Sequence, residues 1–189
     1  SISETAKELG IKLDAYDLYS CFPAAIKMFS KSLQLDHQIA KTITGSMPYA
    51  GGPLNSFVLH STIKMIQKIR NMQVSYGLVT GVSGMMTKQS FCIWGKEYKE
   101  QFIFDDVTDR AKISEIPVEL SDIDEGEGKI IGYTVIEESE NIPKAVLYLE
   151  DKKKHRKVVS SREKPLVSSL MEEEWVGKKV KFKDGQVVR

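Results

Sequence analysis

The chain has 189 residues, enough for one or two domains with a hydrophobic core. Its 41% apolar and 28% charged residues are ordinary for a globular protein, and a net charge of +1 argues against a dedicated nucleic-acid-binding protein. No apolar run approaches the ~18 residues of a membrane span, and the start SISETAKELG lacks the apolar core of a signal peptide. Cys21 and Cys92 have neither metal-ligand nor disulfide-framework spacing, so we expect a cytoplasmic protein.

The first 100 residues alternate helix-like and strand-like segments. SISETAKELG is typical of the end of a helix, with Ser3 as a possible cap and Gly10 as its stop. YDLYSCF is short and strand-like, and Pro23 then sits well for the start of a helix. TITG is a short β-branched segment that we interpret as another strand.

Residues 54 to 70 predict an amphipathic helix. The apolar residues that can share one face of it are Leu54, Val58, Ile63, Ile66 and Ile69. SYGLVTGVSG and TKQSFCIW then predict two strands joined by a turn. This order favours an α/β half-domain with a mixed sheet and flanking helices over residues 1–104.

The stretch from 105 to 127 is strongly acidic, with nine acids and two bases, and predicts a linker. Residues 128–189 differ in pattern from the first block. They contain short alternating runs, one helical candidate (KPLVSSLMEEEW) and the hairpin signal KDGQ. We expect a small, partly closed β-barrel there.

A Gly-Gly-Pro step, Gly51-Gly52-Pro53, stands at the mouth of the helix predicted over residues 54 to 70. A helix N-terminus carries free N–H groups and a partial positive charge, and glycines let a ligand approach the backbone closely. The step is therefore either a plain turn or a site for an anion or oxyanion, with Asn55 as a plausible polar contact.

Three motifs, DLYSCFPAA, TGSMPYAGGPLNSF and GLVTGVSGMMTKQSF, resemble in order and spacing the C-terminal catalytic half of thiolases. More closely, they resemble the type-1 thiolase-like acetyl-CoA acetyltransferases, which carry an additional OB-like C-terminal domain that residues 128–189 would match. The resemblance implies a coenzyme A thioester as substrate or ligand, with no metal and no covalently bound cofactor. It also implies an N-terminal half as partner, because that half supplies the nucleophilic cysteine, so this chain alone is expected to be inactive.

The resemblance assigns candidate roles to particular residues. Cys21 and Tyr19 fall in the loop that the family writes NEAF or HDCF, and we take both as catalytic candidates. The family's GHP and CxG loops match the steps Gly51-Gly52-Pro53 and Val82-Ser83-Gly84. The candidates for binding the thioester oxygen are Gly51, Gly52, Pro53, Asn55 and Gly84.

Two positions depart from the family. Its GHP histidine is replaced by Gly52, and its acid–base CxG cysteine by Val82, which cannot transfer a proton. Acid–base catalysis contributes roughly 10²–10⁴-fold and an oxyanion donor roughly 10²–10³-fold. Two main hypotheses therefore stay open: an acyltransferase that acts only with its N-terminal half, and a non-catalytic acyl-CoA or lipid-binding protein. A protein-docking module built around the barrel is a third, weaker reading.

The remaining candidates have bland interpretations. His60 fits a surface or core histidine, and His37 and His155 are expected to face solvent. The basic run DKKKHRK, residues 151–157, is typical of a solvated hairpin tip, so nucleic-acid binding is not expected. If the N-terminal half is missing, an apolar face is left uncovered, which predicts a homo-oligomer.

Overall fold

The computed structural model describes residues 2–97, 102–114, 117–138 and 141–188, in two compact units, Ser1–Ser114 and Glu115–Arg189. The elements of the first unit are α1 (Ile2–Glu8), β1 (Ala15–Asp17), α2 (Pro23–Ser32), α3 (Met47–Ala50), a 3₁₀ turn (Pro53–Asn55), α4 (Phe57–Arg70), β2 (Tyr76–Val82), β3 (Gln89–Gly95) and α5 (Thr108–Ser114). Those of the second are β4 (Glu125–Glu138), β5 (Asn141–Glu150), β6 (Arg156–Ser161), α6 (Lys164–Glu172), β7 (Lys179–Lys183) and β8 (Gln186–Val188). Within the described ranges, no helix is long and apolar enough to cross a membrane.

The stretch predicted as a linker contains regular structure at both ends. Helix α5 lies in its first part, and β4 begins at Glu125, inside its last part. The domain limits at residues 104 and 128 stay predictions, since the contacts divide the chain between residues 114 and 115.

The first unit has a three-stranded mixed sheet in the order β1-β2-β3. Strand β1 pairs in parallel with β2, with Asp17 opposite Val79, and β2 pairs antiparallel with β3. This confirms the predicted mixed sheet with helices. The short β1 begins with Ala15, which packs towards Met65 of α4, while Tyr16 packs against the other core cluster of this unit.

The TITG segment is not a strand, contrary to the prediction. The hydroxyl oxygen of Thr42 accepts the backbone N–H groups of Thr44, Gly45 and Ser46, at 3.2, 3.1 and 3.0 Å. These local bonds satisfy the donors that a strand would direct to a neighbouring strand, because threonine side chains compete for nearby backbone groups. The segment therefore forms a turn over the end of β1.

The stripe predicted for helix α4 is confirmed only in part, since Val58 and Ile69 are half-buried against the core but Leu54 and Ile63 are not. Phe57, Ser61 and Met65 are buried, whereas Leu54 and Ile63 are 99% and 55% exposed. The four-residue spacing of the buried stripe is that of one helix face. Met65 fits against the sheet because Gly77 of β2 has no side chain there: a Cβ atom at Gly77 would lie 2.6 Å from the Met65 Cε.

The second unit is a closed five-stranded barrel with the strand order β4-β5-β6-β8-β7. Its core consists of Ile130, Ala145, Leu147, Leu149, Val159 and Phe182, together with Val167 and Leu170 from α6. The predicted hairpin at KDGQ is confirmed, with Asp184 and Gly185 at φ of 49° and 74°, the left-handed conformation that tight hairpin turns need. The predicted fold class, a mixed α/β unit followed by a small barrel, is thus confirmed.

The expectation that His155 faces solvent was wrong. Its side chain is 28% exposed, and its two ring nitrogens lie 3.1 Å from a Glu119 carboxylate oxygen and 3.3 Å from one of Asp151. The backbone of residues 119–121 also bonds to Arg156 of β6. The basic hairpin therefore holds the acidic segment that precedes the barrel.

Candidate functional site

The loops that carry most of the predicted site residues gather at one edge of the first sheet. Because β1 and β2 are parallel, their carboxyl ends at Asp17 and Val82 lie at the same edge. Helix α4 runs from Phe57 back to the start of β2, so its N-terminus also lies at this edge. The carboxyl edge of such sheets, where helix N-termini converge, is a common place for ligands in α/β proteins.

The loop that follows β1 is tied to the sheet and to the Gly-Gly-Pro loop. The Tyr19 N–H donates to the Thr80 hydroxyl of β2 at 2.8 Å. The Ser20 hydroxyl accepts the Met47 N–H at 3.0 Å, at the start of α3. The Tyr19 ring meets the Phe57 ring edge-on, with centroids 5.7 Å apart. These contacts fix the predicted catalytic loop against the first turn of α4.

The Gly51-Gly52-Pro53 step forms a tight corner between α3 and α4. Gly51 has a φ of 69°, in the left-handed region that favours glycine. A Cβ atom at Gly52 would lie 3.4 Å from the Phe57 Cβ, so the bare backbone of this corner packs directly on Phe57. Asn55, at φ 68°, is exposed, so its side chain is free to meet a ligand.

The loop after β2 lies at the same edge. A Cβ atom at Gly81 would lie 3.6 Å from the Val58 Cγ2, which shows that the end of β2 passes close to the first turn of α4. Gly84 follows three residues later in an exposed turn closed by the Ser83 N–H, which donates to the Lys88 carbonyl at 2.9 Å. The predicted Gly52 and Gly84 corners therefore share one edge of the sheet and are not on opposite sides of the unit.

Cys21 lies one residue beyond Ser20, in the same loop as Tyr19. It is a half-buried free thiol just before α2, which begins at Pro23 as the sequence predicts. Cys92, by contrast, lies within β3, where burial raises the pKa of its thiol. Within the described residues, no group of three or more His, Cys, Asp or Glu side chains is placed to hold a metal ion.

His60 lies beside an open cavity of about 540 Å³ on the outer side of α4. The cavity is lined by Ile43, Thr44, Ala50, His60, Ile63, Lys64 and Gln67. Thr44 belongs to the turn over β1, so the cavity adjoins the back of the loop that leads to the Gly51–Gly52 corner. Both apolar and polar side chains line this cavity. One of them, Ile63, had been predicted to lie on the buried face of the helix.

The sequence analysis missed Asp17, the last residue of β1. Its side chain is fully buried, Oδ1 accepts the Thr42 hydroxyl at 3.2 Å, and Oδ2 is buried without a hydrogen-bond partner among the described residues. Burial raises the pKa of this carboxyl, and the nearby Thr44 and Thr42 hydroxyls and loop amides oppose the rise only in part. The sequence feature that could have indicated Asp17 was a single acidic residue inside the aromatic segment YDLY.

Comparison with known proteins identifies the fold. No protein-family model matches the chain, and no curated protein sequence does. Among solved structures, the crystal structure of a monomeric SCP2-thiolase-like protein type 1 from Mycobacterium smegmatis matches with a TM-score of 0.80 and 23% sequence identity. The match covers 100% of this chain and 44% of that one. The chain thus has an SCP2-thiolase-like fold and spans less than half the length of this structural relative.

Proposed function

We propose that the first unit binds the thioester group of an acyl-CoA at the carboxyl edge of its sheet. We propose further that the chain is the C-terminal portion of a thiolase-type acyltransferase, which acts only with its N-terminal half. The observation that carries this proposal is the placement of Phe57, which contacts the Tyr19 ring and packs under Gly52. The fold likeness to an SCP2-thiolase-like protein supports it.

The chemistry of the corner suits a thioester carbonyl. Helix α4 has 14 residues, and its first amides have no acceptor inside the helix, so they favour negative charge near its N-terminus. At Gly52 no side chain stands between a ligand and the backbone. An N–H group that points at the oxygen of a tetrahedral intermediate contributes roughly 10²–10³-fold to a rate. Tyr19 and Cys21 are the proposed proton-transfer groups of the neighbouring loop.

The N-terminal half is the proposed occupant of an apolar surface on this unit. The exposed apolar side chains at α3, the corner and α4 are Tyr49 (88% exposed), Leu54 (99%), Leu59 (63%) and Ile63 (55%). The structural relative is more than twice as long and is described as monomeric, which fits a surface covered from within one chain. The 189-residue chain alone is expected to self-associate, and light scattering that shows a clean monomer would count against this proposal.

The decisive experiment uses the complete protein and acetyl-CoA. We expect release of free coenzyme A thiol and an acetyl mass increment on a cysteine of the N-terminal half. The matched control is the 189-residue chain, which should show neither because the attacking sulfur is absent. If the complete protein shows neither turnover nor an acyl-enzyme, the acyltransferase proposal is wrong.

The second candidate is a non-catalytic acyl-CoA or lipid-binding protein. Gly52 and Val82 favour it, because they stand where related enzymes have a histidine and a cysteine. Under this alternative, acetyl-CoA or a longer acyl-CoA binds to the complete protein and perturbs the Gly52 and Gly84 amides in NMR spectra. No thiol is released and no acyl-enzyme forms, which distinguishes the two candidates.

A further inference from the structure

Asp17 is a buried acid that the proposed chemistry does not use. It is fully buried at the end of β1, on the same side of the sheet as Ala15 and helix α4. A buried carboxyl group normally has a partner for each oxygen, since an unpaired buried charge is costly. Here Oδ1 accepts the Thr42 hydroxyl, whereas Oδ2 has no partner at hydrogen-bond distance within the part of the chain that the structure describes. The Thr44 hydroxyl and the Ile43 and Thr44 amides also act on this carboxyl, since they oppose the rise of its pKa.

The Thr42 hydroxyl makes several hydrogen bonds within the loop that leads to the Gly51–Gly52 corner. Its oxygen accepts the N–H groups of Thr44, Gly45 and Ser46, at 3.2, 3.1 and 3.0 Å. A hydroxyl has two lone pairs and a single proton, so these amide bonds depend on where that proton points. If it pointed into the turn, it would compete with the amide donors. The Ser46 N–H also has a second acceptor, the Thr44 hydroxyl at 3.3 Å.

Two oxygens lie within reach of the Thr42 proton, Asp17 Oδ1 and the Thr44 hydroxyl, each 3.2 Å from the Thr42 oxygen. Asp17 can only accept in this contact when it is ionised, whereas in the pair of hydroxyls either oxygen can be the donor. A carboxylate is the stronger acceptor, because a hydrogen bond to an ionised group is about twice as strong as a neutral one. When the Thr42 hydroxyl proton points to Asp17, both lone pairs of the Thr42 oxygen are directed to the amides.

We propose that Asp17 is the positioning residue of the proposed thioester site: it orients the Thr42 hydroxyl, which fixes the turn before α3 and with it the Gly51–Gly52 corner. The chain of contacts continues from the turn through Met47, whose N–H is held by Ser20, to Gly51, whose N–H bonds to the Met47 carbonyl at 3.0 Å. This inference rests on the proposed function and adds a residue outside the predicted motifs.

Among the residues that the structure describes in this unit, no cation is found in contact with Asp17 in place of Thr42. The Lys41 ammonium, on the same loop, donates to the Asp36, His37 and Ile39 carbonyls. From α4, His60 and Lys64 line the cavity on the outer side of Thr44. The residue opposite Asp17 in the strand pair, Val79 of β2, is uncharged. Ionisation of the Asp17 carboxyl should therefore act mainly on the hydrogen bonds of the turn at Thr42.

Amide NMR of the 189-residue chain tests the inference without any ligand. In the native protein, the Thr44, Gly45 and Ser46 amide signals should titrate with one shared midpoint above 3.8, the ordinary pKa of an aspartic acid. In Asp17→Asn, which keeps an acceptor oxygen but cannot ionise, the same amides should stay protected and show no titration. Three independent midpoints, or a titration that persists in Asp17→Asn, would overturn the proposal.

Hydrogen exchange of the same three amides gives the second readout. Asp17→Leu removes the acceptor and should speed their exchange about tenfold, the loss of roughly one net hydrogen bond. Thr42→Val should do the same, and Thr42→Ser, which restores the hydroxyl, should rescue protection. Unchanged amide exchange in Asp17→Leu would contradict the proposal. If Asp17→Leu does not fold, the proposal is tested by the amide titration of the native protein and of Asp17→Asn.

The failure of the inference is separable from that of the proposed function. Acetyl-CoA is added to the complete protein in its native form and in its Asp17→Asn and Asp17→Leu variants, and the Gly52 amide is followed. Suppose that the three turn amides titrate with Asp17 but acetyl-CoA does not shift the Gly52 amide signal. The proposed thioester site is then wrong, and the role of Asp17 in positioning the loop is supported. If acetyl-CoA shifts Gly52 equally in the native protein and in a folded Asp17→Leu variant, the positioning role is wrong and the site stands.

Discussion

The ring of Tyr19 meets the ring of Phe57 edge-on, with centroids 5.7 Å apart and planes at 82°. Tyr19 belongs to the loop after β1, and Phe57 is the first residue of α4 and lies directly beside the Gly52 corner. One aromatic contact thus couples the two loops that the sequence motifs had named separately. Edge-to-face pairs of this kind are favourable beyond their buried area, so the contact also orients the loops.

We predict that the ring and the hydroxyl of Tyr19 serve different purposes. Tyr19→Leu should lower the free energy of unfolding by about 0.5–1.5 kcal/mol beyond the loss of buried area, because the ring pair is lost. Tyr19→Phe keeps the ring and should leave urea unfolding almost unchanged. If the hydroxyl transfers a proton, the Phe variant of the complete protein should nevertheless lose roughly 10²–10⁴-fold in turnover. Equal turnover in Tyr19→Phe and the native protein would remove Tyr19 from the proton-transfer role.

If the proposed acyltransferase function is right, giving Gly52 and Val82 the residues of the thiolases that the motifs resemble should raise activity in the complete protein. A side chain at Gly52 would place its Cβ 3.4 Å from the Phe57 Cβ and 3.7 Å from the Met47 Cε, which are ordinary contact distances for this first atom of a histidine. Under the proposed function, Gly52→His combined with Val82→Cys would supply the oxyanion donor and the acid–base thiol that the resemblance to thiolases implies. We expect faster thiol release from acetyl-CoA than with Gly52→Ala combined with Val82→Ser, the matched control. No difference between the two double variants would argue for a binding protein.

Two glycines of the first unit should respond very differently to alanine. At Gly77 the new methyl group would overlap the buried Met65 side chain, and overpacking of this kind costs about 1–3 kcal/mol. At Gly84 no atom lies within 4 Å of the new Cβ among the described residues, and the exposed turn should tolerate it. Urea unfolding of Gly77→Ala and Gly84→Ala measures the contrast. Equal midpoints would mean that Met65 repacks freely and that its fit against Gly77 is unimportant.

The stability of the first unit should fall as pH rises through the pKa of Asp17. Burial raises this pKa above its ordinary value of 3.8, so folding favours the protonated acid. Its stabilising contribution is therefore complete below 3.8 and is lost as pH increases through the higher folded-state value. Asp17→Asn mimics the neutral acid, so its stability relative to the native chain should increase over the same range. Unfolding curves of both proteins at several pH values check the sign, and a constant difference would contradict it.

Features fixed by neighbours along the chain were predictable from the sequence. Pro23 starts α2 because its ring sets the first helical φ and its missing N–H is not needed there. The turn at Asp184-Gly185 follows from the left-handed conformation that such a hairpin requires. The motif order also indicated which loops to examine, although the roles of Cys21, Asn55 and Gly84 stay predictions.

Other features depend on contacts that close only in three dimensions. Thr42 accepts three amides within four residues of itself, and these local bonds replace the predicted strand. Only its bond to Asp17, 25 residues earlier, depends on the tertiary structure. Met65 is buried because Gly77, opposite it on β2, has no side chain. The His155 ring contacts the carboxylate of Glu119, which lies in the segment that precedes β4.

The sequence by itself thus determined the fold class, the start of α2 and the hairpin turn at Asp184-Gly185, and it indicated the loops that carry the candidate site. Only the tertiary structure decided which faces are buried, and it showed that Asp17 lies beneath the loop of the candidate site. The physical reason is that propensity and turn chemistry act between near neighbours, whereas burial and hydrogen-bond partnership depend on residues far apart in the chain.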